Sequence, residues 1–405
     1  MIDVGDKLLD YKQAQQEIFS KIIQAGSESV RLPDALGRVL AADLIAEWDL
    51  PRHDNSAMDG FAIQAGDGAK GSDLEIIGTL AAGSTGDFVV NAGTAVRIMT
   101  GAVIPPGADA VIPVEKVNQS GTRVRLLRQV ESGDHIRRRG EDLRQGDLAL
   151  AAGIRLSSLE LGLLATFGKG MVDVYRRPKV AVLATGSELV APGETLASAQ
   201  IYDSNTTALC AAVAEAGCEP VPIGIAEDDR TSLADLVVKG LKCDVLITAA
   251  GASVGEFDLV RQVLQESGCH ELFWGVSIKP GKPTAFSLYR NKPIFCLPGN
   301  PVSALVTFEL FVRPALLKMT GREKFMPETI TLPLAESIKK KPVRTLFARV
   351  RLLNRPDGLY VSSAGRQQTG IMTTLTQADA LAILPDGESC FEAGAKVEVL
   401  LLRQR

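Results

Sequence analysis

The chain has 405 residues, 46% of them apolar and 23% charged, and a formal net charge of −4 at pH 7. That is ordinary globular composition without a broad positive field, so general nucleic-acid binding is not expected, and the length points to two to four domains of about 100–200 residues each. No run of 18 apolar residues occurs, the N-terminal stretch carries Asp3, Asp6, Lys7, Asp10 and Lys12, the six cysteines form no CxxC pair, and the three histidines lack metal-ligand spacing. The expectation is therefore a soluble, cytoplasmic chain, with no membrane segment, no structural zinc and free, buried thiols.

In chain order, residues 7–24 set Leu8, Leu9, Ile18, Ile22 and Ile23 on a broken helical face that Gly26 stops. From 49 to about 150, short β-branched runs such as 95–99 and 110–114 alternate with Gly, Pro, Asn and Asp, the texture of a mainly β domain. A helix-like segment at 157–166 precedes Arg176-Arg177-Pro178, a charged, proline-containing step expected at a boundary. Strand and helix then alternate: strand 179–184, helix 204–216, strand 221–226, helix 231–242, strand 244–249, helix 257–267, strands 272–278, 284–288 and 293–297, helix 301–319. Such alternation predicts a doubly wound parallel sheet covered by helices on both faces, with ligands beyond the carboxyl ends of the strands. Past about residue 322 the pattern returns to β, at 329–332, 345–353, 359–362, 381–384 and 396–402, which fits a small barrel or sandwich.

Three turns follow apolar runs in the α/β region: Thr185-Gly186-Ser187-Glu188, Gly251-Ala252-Ser253-Val254-Gly255 and Leu297-Pro298-Gly299-Asn300-Pro301. Small residues there free backbone N–H groups for a ligand, and at least the last opens into a helix, so an anion site is expected. Lys279 and Lys282 flank a Pro-Gly turn and bring two ammonium groups near one point, which favours phosphate or another oxyanion; a solvated hairpin tip is the competing explanation. Asp228, Asp229 and Asp258 fall at or just past strand ends on the edge of Glu188, and carboxylates beside a phosphate call for a bridging Mg²⁺. Asp229 serves equally well as the cap of the helix that starts near Thr231. Read alone, the stretches 55–60 and 97–101 are tight loops, and Arg137-Arg138-Arg139-Gly140-Glu141-Asp142 is a solvated charge run.

Together and in this order, Asp54-Asn55-Ser56-Ala57-Met58-Asp59-Gly60, Ile98-Met99-Thr100-Gly101, Ile136-Arg137-Arg138-Arg139-Gly140-Glu141-Asp142, Ala184-Thr185-Gly186-Ser187-Glu188-Leu189, Ile201-Tyr202-Asp203-Ser204-Asn205, Lys279-Pro280-Gly281-Lys282-Pro283 and Leu297-Pro298-Gly299-Asn300-Pro301-Val302-Ser303 resemble the molybdopterin molybdenumtransferase family. This is the MoeA type that includes the gephyrin E-domain, and the resemblance runs from about residue 49 to 384. It implies a multidomain α/β plus β fold: an N-terminal helix and linker domain (1–48 and 146–177), an inserted β-rich domain (49–145), a doubly wound molybdopterin-binding α/β domain (178–325) and a C-terminal β-barrel-like domain (326–405).

The resemblance further implies a cytosolic homodimer that inserts molybdate into adenylylated molybdopterin and releases AMP, with Mg²⁺ required. Its cleft would lie between the α/β domain of one subunit and the inserted domain of the other. Carried over by position, Asp228 and Asp258 would hold Mg²⁺ and substrate phosphates, Glu188 and Thr100 would line the cleft, and Lys279, Lys282 and Ser303 would receive the oxyanion. Asp59 and Arg137 would act from the partner subunit. Thr185, Gly186, Ser187, Gly251, Ser253, Pro298, Gly299 and Asn300 would form the substrate-binding turns, with Thr369 and Arg344, and after it Arg349, coming from the C-terminal domain. The molybdopterin adenylyltransferase and molybdoenzyme-maturation proteins would be its partners.

The chain departs from the family pattern at Ala250, in a turn usually Gly-Gly-Val-Ser, at Gly275, where relatives often carry a basic residue, at Gln368-Thr369 in place of Gly-Ser, and at Val103 in place of proline. These departures leave open a catalytically weakened or tungstate-preferring paralogue, or a scaffold protein on the same fold. A generic nucleotide-dependent phosphotransferase is disfavoured, because no GxxxxGK[ST] loop exists.

Overall fold

The computed structural model describes residues 8–84, 86–249 and 254–402, with the backbone alone for 254–258. The chain forms two compact units, one from Met1–Ala41, Gly153–Ser158 and Met171–Arg405, the other from Ala42–Ala152 and Leu159–Gly170.

The first unit begins with helix α1 (Tyr11–Lys21), shorter at both ends than the apolar spacing predicts. Asp10 stops it at the front, where its carboxylate caps the helix and Gln13 answers in a capping box; Ile22 ends it by turning extended. Its buried stripe, Tyr11, Ala14, Gln15, Ile18 and Phe19, keeps helical spacing, and the one polar member is satisfied because Gln15 Nε2 donates to the Leu310 carbonyl at 2.9 Å.

The second unit is built on six strands: β1 (Gly60–Ile63), β2 (Asp73–Leu80), β3 (Thr94–Ile98), β4 (Ala110–Pro113), β5 (Val117–Ser120) and β6 (Arg123–Leu126). Their order is β4-β1-β3-β2-β6-β5, antiparallel throughout except for β2 against β3. Alternation along β1 sends Phe61 and Ile63 into one buried cluster and Ala62 into another, so both sheet faces are covered.

The α/β sheet of the first unit contains β7 (Lys179–Thr185), β8 (Glu219–Ala226), β9 (Val245–Ala249), β10 (His270–Trp274), β11 (Ala285–Tyr289) and β12 (Lys292–Leu297), in the order β8-β7-β9-β12-β11-β10. One face packs Val180, Val182 and Ile247 against Leu209 of helix α2 (Ser204–Glu215) and residues of the segment after β12; the other packs Ala181, Leu183 and Leu246 against Leu233 and Val237 of α3 (Arg230–Gly240) and Val260 and Leu264 of α4 (Val254–Glu266). The expected helix 301–319 is a continuous helical segment of three parts: α5 (Pro301–Thr307), a π turn at Phe308–Val312, and α6 (Arg313–Met319).

Two expectations for this sheet are corrected. It is mixed rather than wholly parallel, since β11 runs antiparallel to both β10 and β12. The cause is a two-residue hairpin: Arg290 and Asn291, at φ 48° and 67°, join β11 directly to β12, which leaves no room for a crossover helix. The single strand expected at 272–278 is two pieces in two sheets. β10 ends at Trp274, Gly275 turns the chain at φ 85°, and Ile278–Lys279 then pairs in parallel with Thr345 and Leu346. A Cβ on Gly275 would sit 2.7 Å from Leu8 Cδ2, and Leu9 N–H donates to the Gly275 carbonyl, so the glycine seats the segment that leads into α1.

The C-terminal strands are β13 (Thr329–Pro333), β14 (Thr345–Arg355), β15 (Gly358–Ser363), β16 (Ala380–Leu384) and β17 (Lys396–Leu401). They run β14-β16-β17-β13, β15 pairs with β14, and Leu334 just past β13 bridges Val361 of β15, which brings the sheet round on itself like a barrel. All six cysteines are free; burial raises the thiols of Cys218 and Cys296 to about 12 and that of Cys269 to about 11. No helix among the described residues is long and apolar enough to cross a membrane.

Candidate functional site

Register places the ends of four adjacent parallel strands on one line. Thr185 of β7 pairs with Ala226 of β8, Ala184 pairs with Ala249 of β9, and Ala249 pairs with Leu297 of β12. At about 4.8 Å per strand, that line spans about 14 Å. Each strand leads into a segment read from sequence as functional: Gly186-Ser187-Glu188 after β7, Asp228 after β8, residues 250–253 after β9 and Pro298-Gly299-Asn300 after β12. Gly251 and Ser253 lie outside the described residues, and only the backbone of Asp258, within α4, is described.

The first two segments are tied together. Ser187 donates to Asp228 Oδ2 from its N–H at 3.0 Å and from its hydroxyl at 2.8 Å, and Asp228 N–H donates back to Ser187 Oγ at 3.2 Å. Gly186, at φ 147°, donates its own N–H to the Ala226 carbonyl. Asp229 is the cap that its position allowed: its carboxylate accepts from Thr231 N–H at 2.8 Å and Ser232 N–H at 2.9 Å, so it is committed to α3, while Asp228 is exposed and bound to Ser187. Thr185 is buried, and its Oγ1 has no hydrogen-bond partner among the described residues; Glu188 is half-buried beside it in the chain.

The turn after β12 is held by a residue not singled out as part of the site. Asn205, buried in the first turn of α2, donates from Nδ2 to the Gly299 carbonyl at 2.7 Å, and α2 is fixed in turn by Asp203, which accepts from Thr206 N–H at 3.0 Å. The signal was present in Asp203-Ser204-Asn205, but an asparagine at a helix start is usually read as local capping. Pro301 opens α5 at its first turn, and Ser303 is buried two residues further on.

Lys279 and Lys282 are both exposed on a turn packed against α5. Gly281 lies at φ 109°, where a Cβ would be 2.3 Å from Thr307 Cγ2 and 3.0 Å from Ile278 Cδ1. The turn is closed by Thr284 Oγ1, which donates to the Gly281 carbonyl at 2.7 Å, and by Val276 N–H, which donates to the Lys282 carbonyl at 2.9 Å. A solvated hairpin tip does not require such seating; here two exposed lysines with no ion pair among the described residues stand on a turn locked to the helix that follows Asn300.

From the C-terminal sheet, Arg344 is half-buried just before β14, and Thr369 is half-buried in the loop after β15. Arg349, considered as a second cation for the anion, is committed elsewhere. It is 1% exposed, its guanidinium donates to the carbonyls of Arg366 at 3.0 Å and Gln368 at 3.1 Å, and burial lowers its pKa. It holds the loop that carries Thr369.

In the second unit, Asp59 and Thr100 come together, and Arg137 stands on a strand paired with the segment before Asp59. Thr100 donates to Asp59 Oδ1 from both N–H and hydroxyl at 2.7 Å, and these two bonds, the backbone one first, hold the Asp59 carboxyl below the usual carboxylate range. Arg137 pairs in a short antiparallel ladder with Asn55, four residues before Asp59 in the same loop. The arginine run resolves into two roles. Arg138 pairs with Asp54 and Arg139 with Asp49, whereas Arg137 is exposed and forms no ion pair among the described residues.

Among the described residues no three His, Cys, Asp or Glu side chains gather as a closed metal site. Mg²⁺ does not need one, since it keeps several waters and takes one or two carboxylates together with substrate phosphates. Asp228 fits that part: Ser187 engages only Oδ2, and the exposed carboxylate presents a hard oxygen donor.

The MoeA N-terminal region (domain I and II) matches residues 9–168, the probable molybdopterin binding domain matches 181–318, and the MoeA C-terminal region (domain IV) matches 331–402. The molybdopterin molybdenumtransferase of Haemophilus influenzae is 35% identical over 398 residues, 97% of this chain and 98% of its own. That of Nostoc sp. is 36% identical over 391 residues, 94% and 89% of the two chains. Two crystal structures of the molybdopterin biosynthesis MoeA protein of Pyrococcus horikoshii superpose with TM-scores of 0.85 and 0.84 at 34% and 30% identity, each covering 98% of this chain and 100% of that one. The chain belongs to the MoeA family of molybdopterin molybdenumtransferases, enzymes of molybdenum cofactor biosynthesis.

Proposed function

We propose that the chain inserts molybdate into adenylylated molybdopterin with release of AMP, as a cytoplasmic homodimer, at a site made by the turns beyond β7, β8, β9 and β12 of one subunit and by Asp59, Thr100 and Arg137 of the other. The observation that carries this reading is the in-line register of four strand ends, with the seated Lys279-to-Lys282 turn on the helix that follows the last of them. In this reading the turn N–H groups of Gly186, Ser187, Gly251, Ser253 and Gly299 receive substrate phosphates, with Thr185, Pro298 and Asn300 shaping the turns. Lys279, Lys282, Ser303 and Arg344 receive molybdate, and Glu188 and Thr369 line the cleft. The anionic molybdate and the anionic phosphoanhydride repel each other, and the two ammonium groups offset that repulsion so that molybdate reaches the dithiolene while adenylate leaves. Asp228, with Asp258, would hold Mg²⁺, which when bound supplies charge neutralisation and polarisation of the phosphoryl oxygens. The four-domain division, 1–48 with 146–177, 49–145, 178–325 and 326–405, belongs to the same proposal, as does supply of substrate by a molybdopterin adenylyltransferase and delivery to molybdoenzyme-maturation proteins.

Mixing two inactive variants tests it. Lys279→Ala and Asp59→Asn should each lose molybdate-dependent AMP release. After subunit exchange about a quarter of wild-type activity should return, because half of the dimers are mixed and each mixed dimer holds one intact site. Full activity of Lys279→Ala alone, or no recovery on mixing, would contradict the assignment.

A further inference from the structure

At the other end of the same sheet, Arg38, Arg155, Arg177 and Arg322 line a cavity of about 580 Å³ bordered by Glu219, the first residue of β8. β7 puts this end about 20 Å from the turn-bearing edge at roughly 3.3 Å per residue. The cations here are not balanced by their surroundings. Arg38 is committed, since it donates to Glu28 and to the Tyr175 carbonyl. Glu219 pairs with Lys179 at 3.5 Å, and Glu215 pairs at 3.1 Å with Arg313, which it shares with Glu309. Among the described residues no carboxylate pairs with Arg155, Arg177 or Arg322, and Arg322 Nε is buried without a hydrogen-bond partner. Burial, and then the charges of Arg155 and Arg313, hold the Arg322 guanidinium below the ordinary arginine value.

A role as helix caps does not account for these arginines. α2 and α6 both end at this cavity, but their last carbonyls are already met by the backbone. Gly217 N–H donates to Ala214 and Cys218 N–H to Val213; Gly321 N–H donates to Lys318 and Arg322 N–H to Leu317. The residual helix-end charge, roughly half a unit each, comes to about one negative charge against three guanidiniums. Because Glu215 shares Arg313 with Glu309, a surplus of about one positive charge remains.

We propose that this cavity binds a small phosphate monoester, whose dianionic head accepts hydrogen bonds from the Arg155, Arg177 and Arg322 guanidiniums while the remaining volume takes its organic group. Guanidinium forks match phosphate oxygens in geometry as well as charge, and the volume falls within the range of about 300–1,000 Å³ typical of small-ligand sites.

Isothermal titration of the full chain with ribose 5-phosphate, inorganic phosphate and succinate tests this without any activity readout. Ribose 5-phosphate and phosphate should bind and succinate should not. Arg155→Gln and Arg177→Gln, both at exposed positions that the fold tolerates, should each weaken binding about tenfold or more, since each removes a charged hydrogen-bond donor. The binding component lost in the arginine variants should persist in Lys279→Ala, which affects only anion binding at the opposite end of the sheet. Absence of binding, loss in Lys279→Ala with retention in the arginine variants, or succinate binding as tightly as ribose 5-phosphate would each overturn the proposal. So would a change of oligomeric state in the arginine variants on size exclusion, which would make the cavity a contact between copies of the chain.

Discussion

Replacing Gly281 by alanine probes how the lysine turn is held. The added methyl would lie 2.3 Å from Thr307 Cγ2 and 3.0 Å from Ile278 Cδ1, at a backbone φ of 109°. A non-glycine residue in such a backbone region costs about 1–3 kcal/mol. Forcing a methyl into a packed contact costs about 1–3 kcal/mol more. The expected destabilisation is therefore about 2–6 kcal/mol, a large part of the roughly 5–15 kcal/mol that holds a typical protein folded. Where the fold survives, the turn must shift, and Lys279 and Lys282 shift with it, so AMP release should fall as well. Thr307→Ser separates the two contributions. It removes Cγ2 but keeps the hydroxyl that donates to the carbonyls of Ser303 at 2.8 Å and Ala304 at 3.1 Å. In the double variant the packing share should return and the backbone share should remain, as read by urea unfolding of all four proteins. A coupling energy under about 0.5 kcal/mol, the ordinary scatter for independent sites, would refute the seating of the turn on Thr307.

Asn205→Ala leaves the Gly299 carbonyl without its donor; it should cost about 1–3 kcal/mol in thermal or urea unfolding and weaken binding of the molybdopterin substrate, while wild-type stability would show that the turn after β12 holds itself. Asp228→Asn keeps an oxygen for Ser187 to donate to but removes the charge, so the Mg²⁺ concentration for half-maximal AMP release should rise about tenfold with the fold intact; an unchanged requirement would remove Asp228 from the metal site. Thr100→Val deletes one of the two donors to Asp59 and should raise its carboxyl part of the way toward the usual range, followed by carbon NMR titration. Because the folded-state pKa is depressed, the stabilisation from this contact is present above the ordinary carboxylate range and disappears as pH falls through the depressed value. The stability difference between wild type and Thr100→Val should therefore vanish in strong acid, and a difference that grew toward acid would contradict the assignment.

The alternation of strands and helices between residues 179 and 319 was legible because apolar period and turn chemistry agree along it, and β7, α2, α3 and β9 fall where that pattern puts them. It failed where a tertiary contact overrides the local pattern. Arg290-Asn291 carries no glycine, so the hairpin that makes β11 antiparallel had no strong turn signal. The apolar run after residue 272 reads as one strand although Gly275 divides it between two sheets. Site residues follow the same rule. Asp229 was readable from sequence as a cap or a ligand, and its bonds to Thr231 and Ser232 N–H decide for the cap. Arg137, Arg138 and Arg139 read as one charge run until Asp54 and Asp49 neutralise the last two from far back in the chain. Arg349 looked like a second anion ligand, but its partners are backbone carbonyls, which sequence cannot display.

The most direct test of molybdate insertion at these turns is the stoichiometry of a single measurement: purified chain, adenylylated molybdopterin and Mg²⁺, with and without molybdate, followed for AMP and for molybdenum bound to the pterin product. One AMP released per molybdenum inserted, with little AMP when molybdate is left out, is the predicted result. AMP release that does not depend on molybdate, or substrate that stays intact in its presence, would contradict the account.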